Sequence, residues 1–273
     1  HVDDSLRTRA VVKDPDVSNS MYRGVLIDKE NRTNYTNYES ADITGLTVTG
    51  TGGPGAKTPN IAEAAVEINA TGAWLEDVLI DGCTNVGLRM YFTDASTTVR
   101  NMTVKDAGDA GAGAGAHASG VAVRSSYFAP TFDGLSVTGS PGSGVHASGG
   151  GSMQGHTWNL SGNTEYGLRV DMAEVIVDGV LLDGNGFAGA LIEDGRSVEL
   201  SNLTASNNGQ SGILPGQQAG LHYLRSNDVE SNSGDVRCLH CDVRGNAGHA
   251  LFIEDSVDLW IEDLLVEDVA PAT

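Results

Sequence analysis

The feature that most constrains this chain is a recurring order of apolar residues, h-x-h-x-x-h-x-h, where h is apolar. Clear copies are Ala41, Ile43, Leu46, Val48; Ala73, Leu75, Val78, Ile80; Val175, Val177, Val180, Leu182; Val198, Leu200, Leu203, Ala205; Val236, Cys238, Cys241, Val243; and Leu259, Ile261, Leu264, Val266. Val99, Met102, Val104, then Phe132, Leu135, Val137, then Met153, Trp158, Leu160 are incomplete copies. Measured from the last apolar slot, the basic step is 22 to 24 residues, as from Val137 to Leu160, Leu182 and Ala205. Three longer steps, ending at Ile80, Val137 and Val243, carry insertions, at about 50–64, 106–118 and 209–235. Self-similarity at a fixed short period predicts stacked repeats that share one core.

Alternation with a period of two inside each copy makes the elements strands. Three residues after the last apolar slot comes a turn residue: Asn163, Asn185, Asn208 and Asn246, with Cys83 in the equivalent place. A second short strand then opens with glycine and an apolar residue, as in Gly87-Leu88, Gly120-Val121, Gly144-Val145, Gly167-Leu168, Gly189-Ala190 and Gly220-Leu221. Turn chemistry at fixed offsets closes each repeat into a coil. The expected fold is all-β, a single-stranded right-handed parallel β-helix of about nine or ten coils. A leucine-rich repeat fits Leu200-x-x-Leu203-x-Ala205-x-x-Asn208, but the second half of each repeat reads as strand and turn, not helix.

Segments such as Asp183-Gly184-Asn185-Gly186-Phe187-Ala188-Gly189-Ala190 and Ser206-Asn207-Asn208-Gly209-Gln210-Ser211-Gly212-Ile213 resemble the repeats of the pectate-lyase-like (pectin-lyase-like) superfamily, NosD-like proteins included. The resemblance covers roughly residues 39 to 270 and matches no single enzyme family. It implies three strands per coil and an inward asparagine ladder. The class includes lyases, hydrolases, epimerases, adhesins and stalks, so fold does not choose function. Residues 1–38 lack the repeat and are expected to be a leading coil, a cap or a linker, with 39–273 forming the helix proper.

The formal net charge of −20 argues against nucleic acid and anionic membranes as partners. It fits adaptation to salty water or a surface that holds divalent cations. No apolar run is long enough to span a membrane, and no signal peptide is visible. The chain reads as a piece of a longer extracellular or cell-surface protein, with other domains of that protein among its partners. Six Asn-x-Ser/Thr sequons, at Asn31, Asn34, Asn69, Asn101, Asn159 and Asn202, fit glycosylated export or chance in a chain rich in Asn, Ser and Thr.

Equivalent positions in successive coils stack about 4.8 Å apart. The first outward column of the Gly-h strands should therefore read Arg89, Ala122, His146, Arg169, Leu191, His222, Phe252. The next should read Tyr91, Arg124, Ser148, Asp171, Glu193, Leu224, Glu254. Arg124, His146, Arg169, Asp171 and Glu193 form the candidate site. Arginine can grip a uronate or sulfate, histidine can take a proton, and Asp171 with Glu193 can offer hard oxygens to Ca²⁺. The other reading of the same residues is a solvated face of weak ion pairs. The Asn-Thr-Asp, Asp-Asp and Gly-His-Gly signatures of polygalacturonases and the Asp-Pro-His of alginate epimerases do not occur. Cys238-Leu239-His240-Cys241 is half of a zinc site by spacing, but both cysteines sit in core slots, so core thiols or a disulfide compete with Zn²⁺. Two functions remain: a surface module with a structural or binding role that contacts glycans, or a lyase or hydrolase acting on an acidic polysaccharide.

Overall fold

The computed structural model describes residues 9–20, 23–28, 40–52, 64–69, 72–91, 97–108, 118–124, 129–224, 235–254 and 259–267. Most of the insertions at 50–64 and 106–118 lie outside these residues. Every strand pair among the described residues is parallel and belongs to one of two sheets, of 12 and 9 strands. A coil consists of one long strand and one short strand, and the chain winds as a right-handed parallel β-helix. In the long sheet Val177 pairs with Leu200, Leu200 with Cys238 and Cys238 with Ile261, so each apolar slot stacks on its own copy. The short-strand sheet keeps the same order, with Val121, Val145, Leu168, Ala190, Leu221 and Leu251 in one column.

The resemblance implies three strands per coil, and the long strand supplies two of them by bending in its middle. The residue between its halves has positive φ in every described coil: Asp14, Gly45, Asp77, Asn101, Gly134, Thr157, Gly179, Asn202, His240 and Asp263. A second left-handed column, Asn19, Gly50, Gly82, Asp106, Gly139, Gly162, Gly184, Asn207 and Gly245, ends the strand. Gly, Asn and Asp fill most of these places because they reach that region at least cost. The bend lets the residues on both sides point inward, which is why the pattern has two x positions in its centre.

The coils begin earlier than the repeat suggests. Arg9–Lys13 pairs with Ser40–Thr44, Asp16–Ser18 with Thr47–Thr49, and Val25–Asp28 with residues 66–69. Residues 9–20 and 23–28 thus belong to a leading coil whose strands are in register with the next. In the incomplete copy at Met153, the missing slot is Gly155. A Cβ there would lie 2.6 Å from Nε1 of Trp158, so the indole fills the space and donates to the Phe132 carbonyl at 3.2 Å.

Asn163, Asn185, Asn208 and Asn246 point inward and are buried. Oδ1 of Asn185 accepts from the backbone N–H of Asn163 at 3.0 Å and from its Nδ2 at 3.1 Å. Nδ2 of Asn185 donates to the Leu160 carbonyl at 3.0 Å and to Oδ1 of Asn208 at 2.9 Å. The same contacts repeat from Asn208 to Asn246. Burying unpaired backbone groups is costly, and this ladder pairs them. Asn185→Ala should destabilise the fold by on the order of 3 kcal/mol, since it strands the Asn163 N–H and the Leu160 carbonyl of the preceding coil. Asn185→Ser should cost less, and denaturant unfolding of the two variants checks the ranking.

Candidate functional site

The outward columns of the short-strand sheet stand in the order that the repeat dictates. Arg89 pairs with Ala122, Ala122 with His146, His146 with Arg169, Arg169 with Leu191, Leu191 with His222 and His222 with Phe252. Glu67 extends this column toward the N-terminus and lies against Arg23 at 2.7 Å and Arg89 at 2.8 Å. The second column runs Tyr91, Arg124, Ser148, Asp171, Glu193, Leu224, Glu254.

Four of the five candidate residues come together. Arg169 lies 3.5 Å from the Glu193 carboxylate, His146 is its neighbour in the ladder, and Asp171 is the neighbour of Glu193. Arg124 is exposed and separated from Asp171 by Ser148, so it stands two coils away, outside the group. His146 is buried beneath the face, while Arg169, Asp171 and Glu193 are half-buried.

The cluster holds residues that the strand columns alone do not reveal. Glu165 and Tyr166 come from the turn before Leu168, and both are buried. Tyr166 packs edge-on against Phe187, with ring centroids 5.5 Å apart, and hydrogen-bonds to the Gln217 side chain. Together with Ala188, Leu191 and Ala219, and with Phe187, Leu224 and Phe252 beside them, Tyr166 forms an apolar cluster outside the main core. His222 meets Glu254 through Nε2 at 2.9 Å and rests edge-on against Phe252. The short turn Pro215–Gln218 closes over His222, and only a glycine fits at 216, where a Cβ would fall 2.3 Å from the imidazole. The stacking rule applied to turns would have found the first pair, because Asn163 to Gly167 has the same length as Asn185 to Gly189 and sets Glu165 on Phe187.

Burial raises the Glu165 carboxyl above its ordinary value, with Arg169 pulling the other way. Burial also raises Glu193; Arg169 and His222 lower it, and Asp171 and Asp194 add to the rise. Burial raises the Tyr166 phenol as well, with Arg169 pulling the other way. On the opposite sheet, hydrogen bonds from Asn202 and Ser201 lower the exposed Asp178. The half-buried groups around Arg169 can therefore offer a guanidinium and the carboxyls of Asp171 and Glu193 to one ligand.

The cysteines resolve differently from the zinc and core-thiol readings. Cys238 and Cys241 occupy inward slots on either side of the left-handed residue His240, with Cα atoms 6.1 Å apart, and their sulfurs are joined as a disulfide. Each thiolate that a zinc ion would need is consumed by the other. Cys83 is free and buried. Among the described residues no three His, Cys, Asp or Glu side chains gather as a metal cage.

Raised carboxyls set a pH dependence with a definite sign. Glu165 and Glu193 hold their protons more tightly folded than unfolded, so their neutral forms favour the fold. That contribution is complete below the free value of 4.5 and is lost as pH rises through the raised folded values. Relative to a Glu165→Gln, Glu193→Gln double variant, the wild type should lose melting temperature as pH climbs through that window. Parallel melting curves would count against the buried placement of both carboxyls.

The fold has known counterparts. The periplasmic alginate epimerase AlgG superposes with a TM-score of 0.61 at 9% identity, over 97% of this chain and 79% of that one. The A-module of the Azotobacter vinelandii mannuronan C-5 epimerase gives a TM-score of 0.50 at 14% identity, over 96% of this chain and 78% of that one. At such identities the likeness is one of fold. No curated protein matches the chain. The family model described as a right-handed β-helix region matches residues 119–269, more than half of the sequence, and the chain belongs to that family.

Proposed function

We propose that this chain is an exported β-helix module that contacts an acidic polysaccharide on the outward face of its short-strand sheet, around Arg169. The observation that carries the reading is a half-buried guanidinium beside two carboxyls with raised proton affinity and an aromatic wall. A bidentate donor at the edge of apolar ring surface suits a sugar bearing a carboxylate or sulfate. The names of the two epimerases, both enzymes of alginate or mannuronan, lend support from the fold. Export accords with the disulfide, since such bonds persist in oxidising compartments.

The net charge of −20 opposes an anionic ligand at long range, so attraction has to arise locally. Protonation of Glu193 would free Arg169 for the ligand, and binding should tighten as pH falls toward the free glutamate range. Arg169→Ala should weaken binding of a polyuronate by about tenfold or more, the value of a charged hydrogen bond, and leave a neutral polysaccharide unaffected. Equal affinity of variant and wild type across the pH series would remove Arg169 from the reading.

A second reading rests on the same carboxyls. Glu193 and Asp171 are ladder neighbours, and burial raises the Glu193 carboxyl, so this pair is the one that could take the acid and partner roles of glycoside cleavage. Incubation with pectins, alginates and sulfated glycans, with and without Ca²⁺, tests it. New reducing ends or unsaturated products that vanish in Glu193→Gln would favour the enzyme. Binding without turnover would leave the module.

A further inference from the structure

We infer that Asn101, Asn159 and Asn202 are acceptors for N-linked glycans, which clothe the outward face of the long sheet and leave the short-strand sheet bare. The inference uses the exported reading but is independent of ligand contact at Arg169. All three asparagines are exposed, and each begins an Asn-x-Ser/Thr sequon within a long strand: Thr98–Lys105, Ser152–Ser161 and Ser197–Ser206. Thr131–Thr138 lies between the first two and Glu174–Asp183 between the last two. The acceptors therefore recur at every second coil, about 10 Å apart along the axis.

Burial separates these sequons from a fourth. Asn69 ends the strand Ala64–Asn69 of the short-strand sheet and is 8% exposed, which leaves no room for a sugar in the folded chain. Asn31 and Asn34 lie outside the described residues. Nδ2 of Asn101 donates to Asp77 at 3.1 Å and Nδ2 of Asn202 to Asp178 at 2.7 Å. Attachment removes one of the two amide hydrogens and leaves one for the aspartate, so the surface contact survives. The co-reactant is an oligosaccharide joined through its anomeric carbon to a lipid pyrophosphate. The amide nitrogen forms a bond to that carbon, the carbon–oxygen bond to phosphate breaks, the lipid pyrophosphate departs with the electron pair, and the amide gives up one proton. No oxidation or reduction occurs. A bulky solvated modification of this kind needs an exposed site, which these three positions provide.

The test is the full chain, given a leader and secreted by a eukaryotic host, with the folded fraction identified by its intact Cys238–Cys241 disulfide and its peptides mapped by mass before and after enzymatic glycan release. Occupancy of Asn101, Asn159 and Asn202 with Asn69 bare is the expected pattern, and any other pattern in that fraction overturns the assignment. Thr103→Ala, Ser161→Ala and Thr204→Ala should each remove one glycan step on a gel. They keep asparagine in place, which matters because Asn101 and Asn202 sit at φ of 49° and 48°, where glutamine would be strained. A chain that never reaches the medium in disulfide-bonded form sinks the exported reading and the assignment with it. A secreted, disulfide-bonded chain with bare acceptors overturns the assignment alone.

Discussion

A buried amide that faces its own copies in the coils above and below has to be satisfied by them. Asn163, Asn185, Asn208 and Asn246 meet this condition because the oxygens of the last three each take two hydrogens from the coil before, that of Asn163 takes one from Ser140, and each nitrogen reaches back to a carbonyl of the long strand one coil earlier. Those contacts hold only if successive turns are superimposed, which fixes the length from apolar anchor to turn and hence the register of both sheets. Where the ladder lacks asparagine the slot still takes a small side chain: Ser140 donates its backbone N–H to Asn163, and Ala107, Cys83 and Thr51 occupy the positions before it. Insertions are confined to places that leave this spacing alone.

That coupling explains how much the sequence discloses. A period of two within strands and a constant step between them suffice to order the outward columns, because one correct register places every residue of a sheet. The leading coil escapes the same pattern for a local reason. Ala10, Val12 and Val17 fill its slots, but Pro15 stands where Leu46 stands one coil later, and a proline among aspartates reads as a linker. The disulfide is not legible in the Cys-x-x-Cys spacing alone. Cys238 and Cys241 replace Leu200 and Leu203, a pair of core leucines, and only the left-handed bend at His240 turns the two inward side chains toward each other. Glu165 and Tyr166 stayed hidden because they belong to a turn, and stacking of turns follows from the ladder more than from alternation of apolar residues.

The two outward faces do different physical work. The long sheet presents charged and polar side chains to water in exposed pairs, such as Asp178 with Asn202 and His240 with Asp263. Pairs of this kind are worth little to stability, and their effect is to keep a strongly acidic rod solvated. The outward side of the short-strand sheet is covered to a degree unusual for a solvent face: Glu67, Ala122, His146, Leu191 and His222 are all buried there. A residue pointing away from the core can be buried only by something laid over it. At His222 that cover is visible as the Pro215–Gln218 turn.

From this it follows that access to the face is controlled by the parts of the chain that break the repeat. The coils by themselves would generate uniform columns in which no position differs from its neighbour except by side chain. Arg169, Asp171 and Glu193 stay half-exposed between His146 and His222, which are closed over, so the opening at Arg169 is a gap in the cover more than a property of the columns. Partial cover is also what raises the proton affinity of Glu165 and Glu193, since desolvation is the leading cause for both. The rigid ladder of asparagines sets where these side chains stand, and the Pro215–Gln218 turn covers His222 at the edge of the group. A chemically distinct patch on a repetitive rod requires both.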